Sequence, residues 1–430
     1  MSPLTPRSKL QHKNSVSELL TLNQHKIRLG LTRVKKVIKK LNIKNNSKTK
    51  YLTINGTSAK NSILQIFKSI LIQQKQKYAA TYSPHLLTIV ERFEYNQKFI
   101  KLQNLKKILI KVSKYKNLTQ FEKLIVSFGL FANNLKLDWL LAEFGLFGRL
   151  DAVRALYDKP NFHIISPISW DHLNWTKTKK RNIKTLKEIV YEKTSFIKSN
   201  VYIAKQNPKV LKLIKSFLKK NKSNKVFYGS DFTIIKKQKK YFYKDSQYYF
   251  ELKSNLFGDY MHENMAVAVK LAIDNNISIN VIKKGLLKIN IIGRLQILKK
   301  GKLLKNLKSN DKIILDGAHN AQQSSRLIEV IKKLKFKNKY AIISMINSKD
   351  PSSYLKPFKG NFKNIYFLDN PEQKNYIKKE ELQKVASKLN IRSEIADNFK
   401  EIKKKMNNKS NSLYLCTGSL YWIGYLLSRN

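Results

Sequence analysis

The sequence predicts an α/β protein with two domains, residues 1–294 and 295–430. Its 430 residues are 42% hydrophobic, which is enough apolar material for two packed cores. Short apolar strands alternate with amphipathic helices in both parts of the chain, a pattern typical of mostly parallel sheets covered by helices on both faces. Three aromatic runs within residues 232–250 also predict a small antiparallel sheet in the first domain.

The first domain begins with helical spacing of apolar side chains over residues 16–42, interrupted near Gly30. Residues 51–54 predict a buried strand, and a polar turn at 55–62 leads from it into a helix. The remaining elements expected here are strands over 137–144 and 162–168 and helices within 261–287.

The second domain is expected after Gly293–Arg294, which we interpret as a hinge. The alternation restarts there with a strand over 313–315 and a helix from Gln322. The remaining expected strands are 340–344, 365–367 and 413–416. This pattern predicts a Rossmann-like α/β domain.

The chain carries 85 basic and 28 acidic side chains, a formal net charge of +57. The lysines are spread along the whole chain among Asn and Ile, without a basic arm or a zinc-finger motif. A solvated basic surface is therefore the first interpretation, and we expect no nucleic-acid partner. Attraction of small anionic substrates and a nucleic-acid surface are the alternatives.

The single cysteine, Cys416, excludes an internal disulfide framework and is typical of a reducing compartment. No apolar run approaches the roughly 18 residues of a membrane span, and the N-terminus lacks the apolar segment of a signal peptide. We therefore expect a cytoplasmic protein without membrane contact.

The turn at 55–62 has several features of a phosphate-binding loop. Backbone N–H groups at the start of the helix can face an anion, and Lys60 can reach the β- and γ-phosphates of a nucleotide. The strict G-x-x-x-x-G-K-[ST] pattern is not met, because Ala59 precedes the lysine and Asn61 follows it. If position 59 needs a positive φ, alanine costs about 1–2 kcal/mol there. An ordinary strand-to-helix turn is the alternative for this segment alone.

Further motifs follow in order along the chain. The most distinctive are E-F-G-L-F-G-R-L-D-A at 143–152 and D-G-A-H-N at 316–320. The others are Y-S-P-H-L at 82–86, T-Q-F-E at 119–122, S-W-D-H at 169–172, Y-E-K-T-S at 191–195 and G-R-L-Q at 293–296. With the turn at 55–62, this series resembles the Mur-ligase superfamily and, within it, the dihydrofolate synthase/folylpolyglutamate synthase family.

The resemblance implies an ATP-dependent ligase with a P-loop-type Mur-ligase central domain and a Rossmann-like second domain. In such enzymes ATP phosphorylates the carboxylate of a pteroate or folate. The α-amine of L-glutamate then attacks the acyl phosphate, and amide, ADP and phosphate are released. The implied substrates are L-glutamate with dihydropteroate or tetrahydrofolate. ATP and Mg²⁺, with two ions, are the implied cofactors, and a monomer is expected.

The resemblance also implies residue roles. For ATP it implies Thr57, Ser58, Ala59, Lys60, Asn61, Ser62, Asn264, Arg294, Asp316 and His319. For Mg²⁺ it implies Ser83, Glu143, His172 and Lys193, and for catalysis Lys60, His172 and Lys193. For the pterin it implies Arg28, Leu29, Gly30, Leu31, Thr119, Gln120, Phe121, Leu150, Asp151 and Ala152. Taken singly, Ser83 could be a turn residue, Glu143 a helix-facing ion pair, and His172 a capped core imidazole.

Lys193 has the most unusual implied role. Its counterpart in the family motif E-K-A-G-I is carbamylated by CO₂, which converts the ammonium into a long carboxylate for a second Mg²⁺. Only a lysine whose surroundings favour the neutral amine can react in this way. Here Thr194 and Ser195 replace the Ala–Gly pair. A surface lysine near the end of a helix is the alternative.

Two other functions remain open from the sequence. One is a Mur-type ligase that adds an amino acid to a cell-wall precursor. The other is a degenerate protein on this fold, either non-catalytic or nucleic-acid-binding, which would account for the altered loop and the charge.

Overall fold

The computed structural model describes residues 28–157, 159–170, 185–305, 307–405 and 411–430. It confirms a mixed α/β fold and divides into two compact units. The first unit contains the described residues up to Asn255 and the segment Met261–Ile289; the second contains Leu256–Tyr260 and Asn290–Asn430. The sequence pattern did not predict that residues 256–260 belong with the second unit. The expected helical residues 16–27 lie outside the described residues.

The main sheet of the first unit has eight strands. They are β1 (Lys50–Asn55), β2 (Tyr78–Thr81), β3 (Glu94–Tyr95), β4 (Lys98–Phe99), β5 (Trp139–Glu143), β6 (Phe162–Ile165), β7 (Asn200–Ile203) and β8 (Lys225–Phe227). Their order is β4-β3-β2-β5-β1-β6-β7-β8. Pairing is parallel from β2 to β8, whereas β3 and β4 extend one edge antiparallel.

The described residues of the first unit also form helices. They are Thr32–Lys40, Lys60–Gln73, Leu102–Ser113, Gln120–Asn133, Ala152–Leu156, Leu186–Thr194, Pro208–Phe217, Asp259–Ile273 and Ile279–Lys288, with a 3-10 turn at Ile89–Arg92. The helix after β1 buries Ile63, Ile66, Phe67, Ile70 and Leu71. This i, i+3, i+4, i+7, i+8 spacing puts one apolar stripe against the core. Because this apolar stripe is buried, the helix has one orientation, and the position of its first turn is set with it.

The aromatic runs form the expected antiparallel patch. Its strands are β9 (Phe232–Lys237), β10 (Lys240–Asp245) and β11 (Tyr249–Glu251), in the order β11-β10-β9. Tyr243 on β10 is fully buried, whereas Tyr249 on β11 is exposed.

The second unit is built on a six-stranded sheet. Its strands are β12 (Gln296–Ile297), β13 (Lys312–Leu315), β14 (Asn338–Ile343), β15 (Asn364–Phe367), β16 (Ser393–Ile395) and β17 (Ser412–Thr417). Their order is β12-β13-β17-β14-β15-β16, parallel except for β12. The helices are Ala321–Lys333, Pro351–Leu355, Lys379–Lys388, Phe399–Lys405 and Leu420–Arg429, with 3-10 turns at Lys302–Leu304 and Lys356–Phe358.

None of the helices in the described ranges is both long enough and apolar enough to cross a membrane.

Candidate active site

Four neighbouring parallel strands of the first unit end at the same edge of the sheet. In the order β2-β5-β1-β6 they are followed or ended by Ser83, Glu143, the turn at 55–62 and Ser166. Because the carboxyl ends of parallel strands meet at one edge, residues far apart in the sequence come together there. This edge is the candidate active site of the first unit.

The turn after β1 has a strained backbone. Gly56 has a φ of +142°, and a Cβ on it would lie 2.1 Å from the Ser166 Oγ, so only glycine fits. Ala59 has a φ of +66° and a ψ of 0°, the left-handed conformation. The helix begins at the next residue, Lys60, and includes Asn61. The positive φ that the sequence analysis considered is therefore adopted at Ala59. The Cβ of alanine makes this conformation less favourable there than it would be for glycine.

The turn rests on the segment after β6. The backbone N–H groups of Thr57 and Ser58 both donate to the Pro167 carbonyl, at 3.0 and 3.1 Å. The Thr57 hydroxyl donates to the Ser169 carbonyl and accepts from the Ser169 N–H, both at 3.1 Å. The N–H groups of Thr57 and Ser58 are therefore occupied. The first N–H groups of helix Lys60–Gln73 have no acceptors within the helix, so the start of this helix is the part of the loop that can attract an anion.

Lys60, Glu143 and Ser83 come together at the strand ends. The Lys60 Nζ lies 3.8 Å from the Glu143 Oε1, and the Ser83 N–H donates to the Glu143 Oε2 at 3.4 Å. The Glu143 side chain is only 4% exposed, so its charge acts on its neighbours with little screening by water. From the sequence, the alternative role of Glu143 was an ion pair with a helix residue. The Glu143 carboxylate does form such a pair, and its partner is Lys60, the candidate phosphate-binding lysine.

Lys193 is buried below the same turn. Its side chain is 2% exposed, and its Nζ donates to the Gly56 carbonyl at 2.8 Å. The aromatic ring of Phe147 lies 5.7 Å from the same nitrogen. The surface-lysine alternative is therefore wrong, because the amine points inward from the end of helix Leu186–Thr194.

His172 lies outside the described residues, and its place in the site stays a prediction. Within the ranges given above, no three His, Cys, Asp or Glu side chains cluster as ligands for a metal ion. The described oxygen donors are the Glu143 carboxylate and the Ser83 hydroxyl. Such a set suits Mg²⁺, which keeps several of its waters, better than a fully protein-bound ion.

Two of the segments implied for the pterin are adjacent. Thr119 caps helix Gln120–Asn133 and forms a capping box with Glu122. The Glu122 carboxylate also accepts from the Arg33 Nε at 3.0 Å, and the Arg33 guanidinium donates to the Arg28 carbonyl. This chain of contacts joins the segment containing Arg28, Leu29, Gly30 and Leu31 to the one containing Thr119, Gln120 and Phe121. Leu29 remains 43% exposed.

The third segment includes Leu150 and Ala152. It belongs to the loop that begins at Gly145, and this loop packs against the segment that contains Phe121. A Cβ on Gly145 would lie 2.5 Å from the Phe121 ring, so glycine is needed for this contact. The Asp151 carboxylate accepts from the N–H groups of Gly145, Leu146 and Val153 at 2.9–3.1 Å. Burial raises the pKa of Asp151 to about 6. Asp151 therefore shapes this loop, and a contact between Asp151 and the pterin stays a prediction.

In the second unit, the G-R-L-Q and D-G-A-H-N motifs interlock. The Asp316 carboxylate accepts from the N–H groups of Leu295 and Ala318, both at 2.8 Å, and the Gly317 N–H donates to the Gly293 carbonyl at 2.9 Å. Leu295 is held at a φ of +45°, a strained conformation for leucine. Burial raises the pKa of Asp316.

The three other predicted nucleotide residues differ in their surroundings. The Arg294 guanidinium lies close to Gly317 and lowers the pKa of Asp316, against the effect of burial. The His319 Nδ1 lies 2.8 Å from the Gly317 carbonyl. In the first unit, Asn264 is 2% exposed, and its Nδ2 has no hydrogen-bond partner among the described residues. Buried amides are normally satisfied, so Asn264 is a candidate for ligand binding.

Sequence analysis assigned no individual role to two polar residues at or shortly after strand ends. Asn55, the last residue of β1, is buried and bonds three segments of the site. Gln206, shortly after β7, accepts from the Ile168 N–H at 2.9 Å and donates to the Ser166 carbonyl at 3.1 Å. The only signal in the sequence was a polar side chain at the end of an apolar strand.

Part of the second unit matches a known protein family model. Residues 299–429 match the family model described as "Dihydrofolate synthetase, C-terminal domain". No curated protein sequence matches the chain.

Solved structures match over nearly the whole chain. Folylpolyglutamate synthase from Mycobacterium tuberculosis, solved with ADP and AMPPCP, has a TM-score of 0.83 at 18% identity, covering 98% of this chain and 99% of that one. E. coli FolC, solved with DHPP and ADP, also has a TM-score of 0.83, at 21% identity and 97% and 96% coverage. A bifunctional folylpolyglutamate synthase/dihydrofolate synthase from Yersinia pestis, with AMPPNP and Mn, has a TM-score of 0.81 at 19% identity and 100% and 99% coverage. Residues 299–429 thus resemble the dihydrofolate synthetase C-terminal domain, and the whole chain has the fold of the folylpolyglutamate synthases.

Proposed function

We propose that this protein is an ATP-dependent ligase that joins L-glutamate to dihydropteroate and to the γ-carboxylate of tetrahydrofolate through an acyl phosphate. The observation that carries the proposal is the meeting of Lys60, Glu143 and Ser83 beside a strained strand-to-helix turn, with the Lys193 amine directly below it. The second unit adds support, because residues 299–429 match a dihydrofolate synthetase domain.

The chemistry explains why such a site is needed. A carboxylate does not react with an amine at neutral pH, so it must first become an acyl phosphate. Phosphoryl transfer needs positive charge and oriented donors around the phosphate oxygens. The Lys60 ammonium and the first turn of its helix supply both at the strand ends.

The described oxygen donors fit Mg²⁺, and we propose that Glu143 and Ser83 hold it together with His172. When bound, Mg²⁺ neutralises charge on the phosphate oxygens of ATP. In this arrangement Glu143 keeps Lys60 close to the metal site through their ion pair. Manganese in the related structure from Yersinia pestis is consistent with a divalent ion in this fold.

We further propose that CO₂ carbamylates Lys193. The ammonium first loses one proton, the neutral amine then attacks CO₂ as a C–N bond forms and one C=O π bond breaks, and a second proton leaves the nitrogen, so the side-chain charge changes from +1 to −1 overall. The buried position of the amine supports this, because burial disfavours the ammonium form. The carbamate would be a second anionic ligand for Mg²⁺ near the Gly56 peptide.

We propose that the pterin binds near the joined segments that contain Phe121 and Gly145. Their packing supports the proposal, since an aromatic ring lies directly on a glycine of the loop. A monomeric, cytoplasmic enzyme with only small-molecule substrates remains our expectation.

The Lys60→Ala variant tests the assignment of the phosphate-binding turn. We expect product formation from ATP, L-glutamate and dihydropteroate to be lost, because the removed charge stabilises the transferring phosphoryl group by several kcal/mol. Product is measured by mass spectrometry, and circular dichroism checks the fold. Lys75→Ala, at an exposed position after the same helix, is the control and should keep wild-type turnover. Near wild-type turnover in Lys60→Ala would contradict the assignment.

A further inference from the structure

Asn55 forms three hydrogen bonds with three different segments of the site. Its side chain is wholly enclosed, since the residue is 1% exposed. The Nδ2 donates to the Phe147 carbonyl at 2.6 Å and to the Lys193 carbonyl at 3.0 Å. The Oδ1 accepts from the Gly56 N–H at 2.7 Å. Both donors of the amide, and at least one acceptor position, are therefore in use.

The surrounding backbone leaves room for this amide. Gly148 has a φ of +129°, and a Cβ on it would lie 2.2 Å from the Asn55 Nδ2. A side chain at this position would displace the amide from the carbonyls of Phe147 and Lys193. The glycine of the G-R-L-D-A motif is thus required by the side chain of Asn55 as well as by its own backbone conformation.

Asn55, Gly56 and Lys193 form a closed ring of contacts. The Asn55 side chain binds the main chain of Lys193, the Lys193 side chain binds the carbonyl of Gly56, and the N–H of Gly56 binds the Asn55 side chain. Each member fixes the next, and all three are buried or nearly so. Buried hydrogen-bond networks of this kind are rigid when every polar group is satisfied.

We propose that Asn55 is a positioning residue, which acts through Lys193 and holds its amine against the phosphate-binding turn. The inference deepens the proposed ligase function and rests on it for the catalytic consequence. Without the amide, the end of helix Leu186–Thr194 loses a bond to β1, and the Lys193 amine is free to leave the Gly56 carbonyl.

The Asn55→Asp variant tests this. It keeps the shape of the side chain and the acceptor for the Gly56 N–H, but it places a carboxylate oxygen against two carbonyls. The same change at the exposed Asn104 is the matched control for added charge. Asn55→Ala is the second variant, which removes the amide without adding a charge.

The first readout is acylation of lysine amines by an amine-reactive reagent in bicarbonate-free buffer, quantified for each lysine by mass spectrometry. We expect labelling of Lys193 to rise about 10-fold in both Asn55 variants, because loss of the buried hydrogen bond from Asn55 makes local opening around Lys193 easier. Lys123 is an internal reference, because it is fully buried in the same unit. Its labelling should not change.

Unchanged labelling of Lys193 in both variants would overturn the inference. An equal rise at Lys123 and Lys193 would also overturn it, because it would show general loosening of the first unit. Since this readout uses no substrate, it decides the role of Asn55 even if the wild-type protein makes no folate product.

The second readout is the kinetics of the proposed reaction. In Asn55→Asp we expect kcat to fall about 10- to 100-fold while the KM for ATP changes by less than about threefold, because Lys60 and its helix are retained. Loss of ATP binding with unchanged kcat would contradict a role through Lys193. Absence of product in the wild-type protein would instead contradict the proposed function.

Discussion

Ala59 adopts a backbone conformation that suits glycine. Its φ of +66° brings the Cβ close to the carbonyl that follows it, at a cost of about 1–2 kcal/mol. Ala59→Gly removes this strain. It also gives the unfolded chain more conformational freedom, which lowers the stability of the folded protein by about 0.4–1 kcal/mol. We therefore expect the free energy of unfolding of the first unit to rise by roughly 1 kcal/mol, as the difference of these two effects.

Urea unfolding measures this change. Lys107→Gly is the control, because Lys107 is exposed in the interior of helix Leu102–Ser113 of the same unit and the glycine should lower stability there. A loss of stability in Ala59→Gly would contradict the left-handed conformation of Ala59.

The proposed carbamylation of Lys193 depends on the burial of its amine. Removal of a carbamate ligand leaves a space that a small carboxylate can fill, so we expect Lys193→Ala to be nearly inactive and formate or acetate to restore part of the turnover. Activity of the wild type should also fall in bicarbonate-depleted buffer at low pH, because carbamylation needs CO₂ and a neutral amine. Product formation is measured in both experiments.

Lys198→Ala is the control, because Lys198 is exposed shortly after the same helix and should tolerate the change. Full turnover of Lys193→Ala would contradict the carbamate and remove the second metal ion from the mechanism.

The segment after β6 supports the phosphate-binding turn and is itself supported by Gln206. This side chain bonds the Ile168 N–H and the Ser166 carbonyl. Gln206→Ala leaves these groups without a protein partner, which typically costs about 1–3 kcal/mol. We expect a loss of stability of this size and weaker binding of ATP, measured by urea unfolding and by calorimetry.

Gln103→Ala, on an exposed helix position, is the matched control and should change neither quantity by more than about 0.5 kcal/mol. If Gln206→Ala behaves like the control, the support through Ser166 and Ile168 is not important for the turn.

The strongly periodic elements were predictable, because their signals are local. The strand at 51–54, the helix after the turn and the aromatic antiparallel patch are all present, with ends shifted by a few residues. The two-residue strands β3 and β4 were missed, since pairing across the sheet decides them rather than their own side chains.

Contacts between distant segments were less predictable. The resemblance implied roles at one site for Lys60, Ser83 and Glu143, and the structure brings these three together. The order of the strands, with β5 between β2 and β1, depends on the whole sheet. For the same reason the role of Asn55 could not be inferred, because its partners lie 92 and 138 residues away in the sequence.

For the molecule as a whole, the net charge of +57 is compatible with the proposed substrates, which are all anions. ATP, glutamate and folates would be attracted to such a surface, and this attraction should weaken as salt is added. The charge alone does not distinguish a ligase from a nucleic-acid-binding protein, whereas the reaction does.

The most direct measurement is ATP-dependent ligation by the purified protein. Phosphate release and amide product are followed together, with L-glutamate and either dihydropteroate or tetrahydrofolate. We predict equal amounts of phosphate and product with each acceptor, and neither without glutamate. Product from tetrahydrofolate alone would restrict the protein to chain extension, and no product from either acceptor would contradict the proposed function.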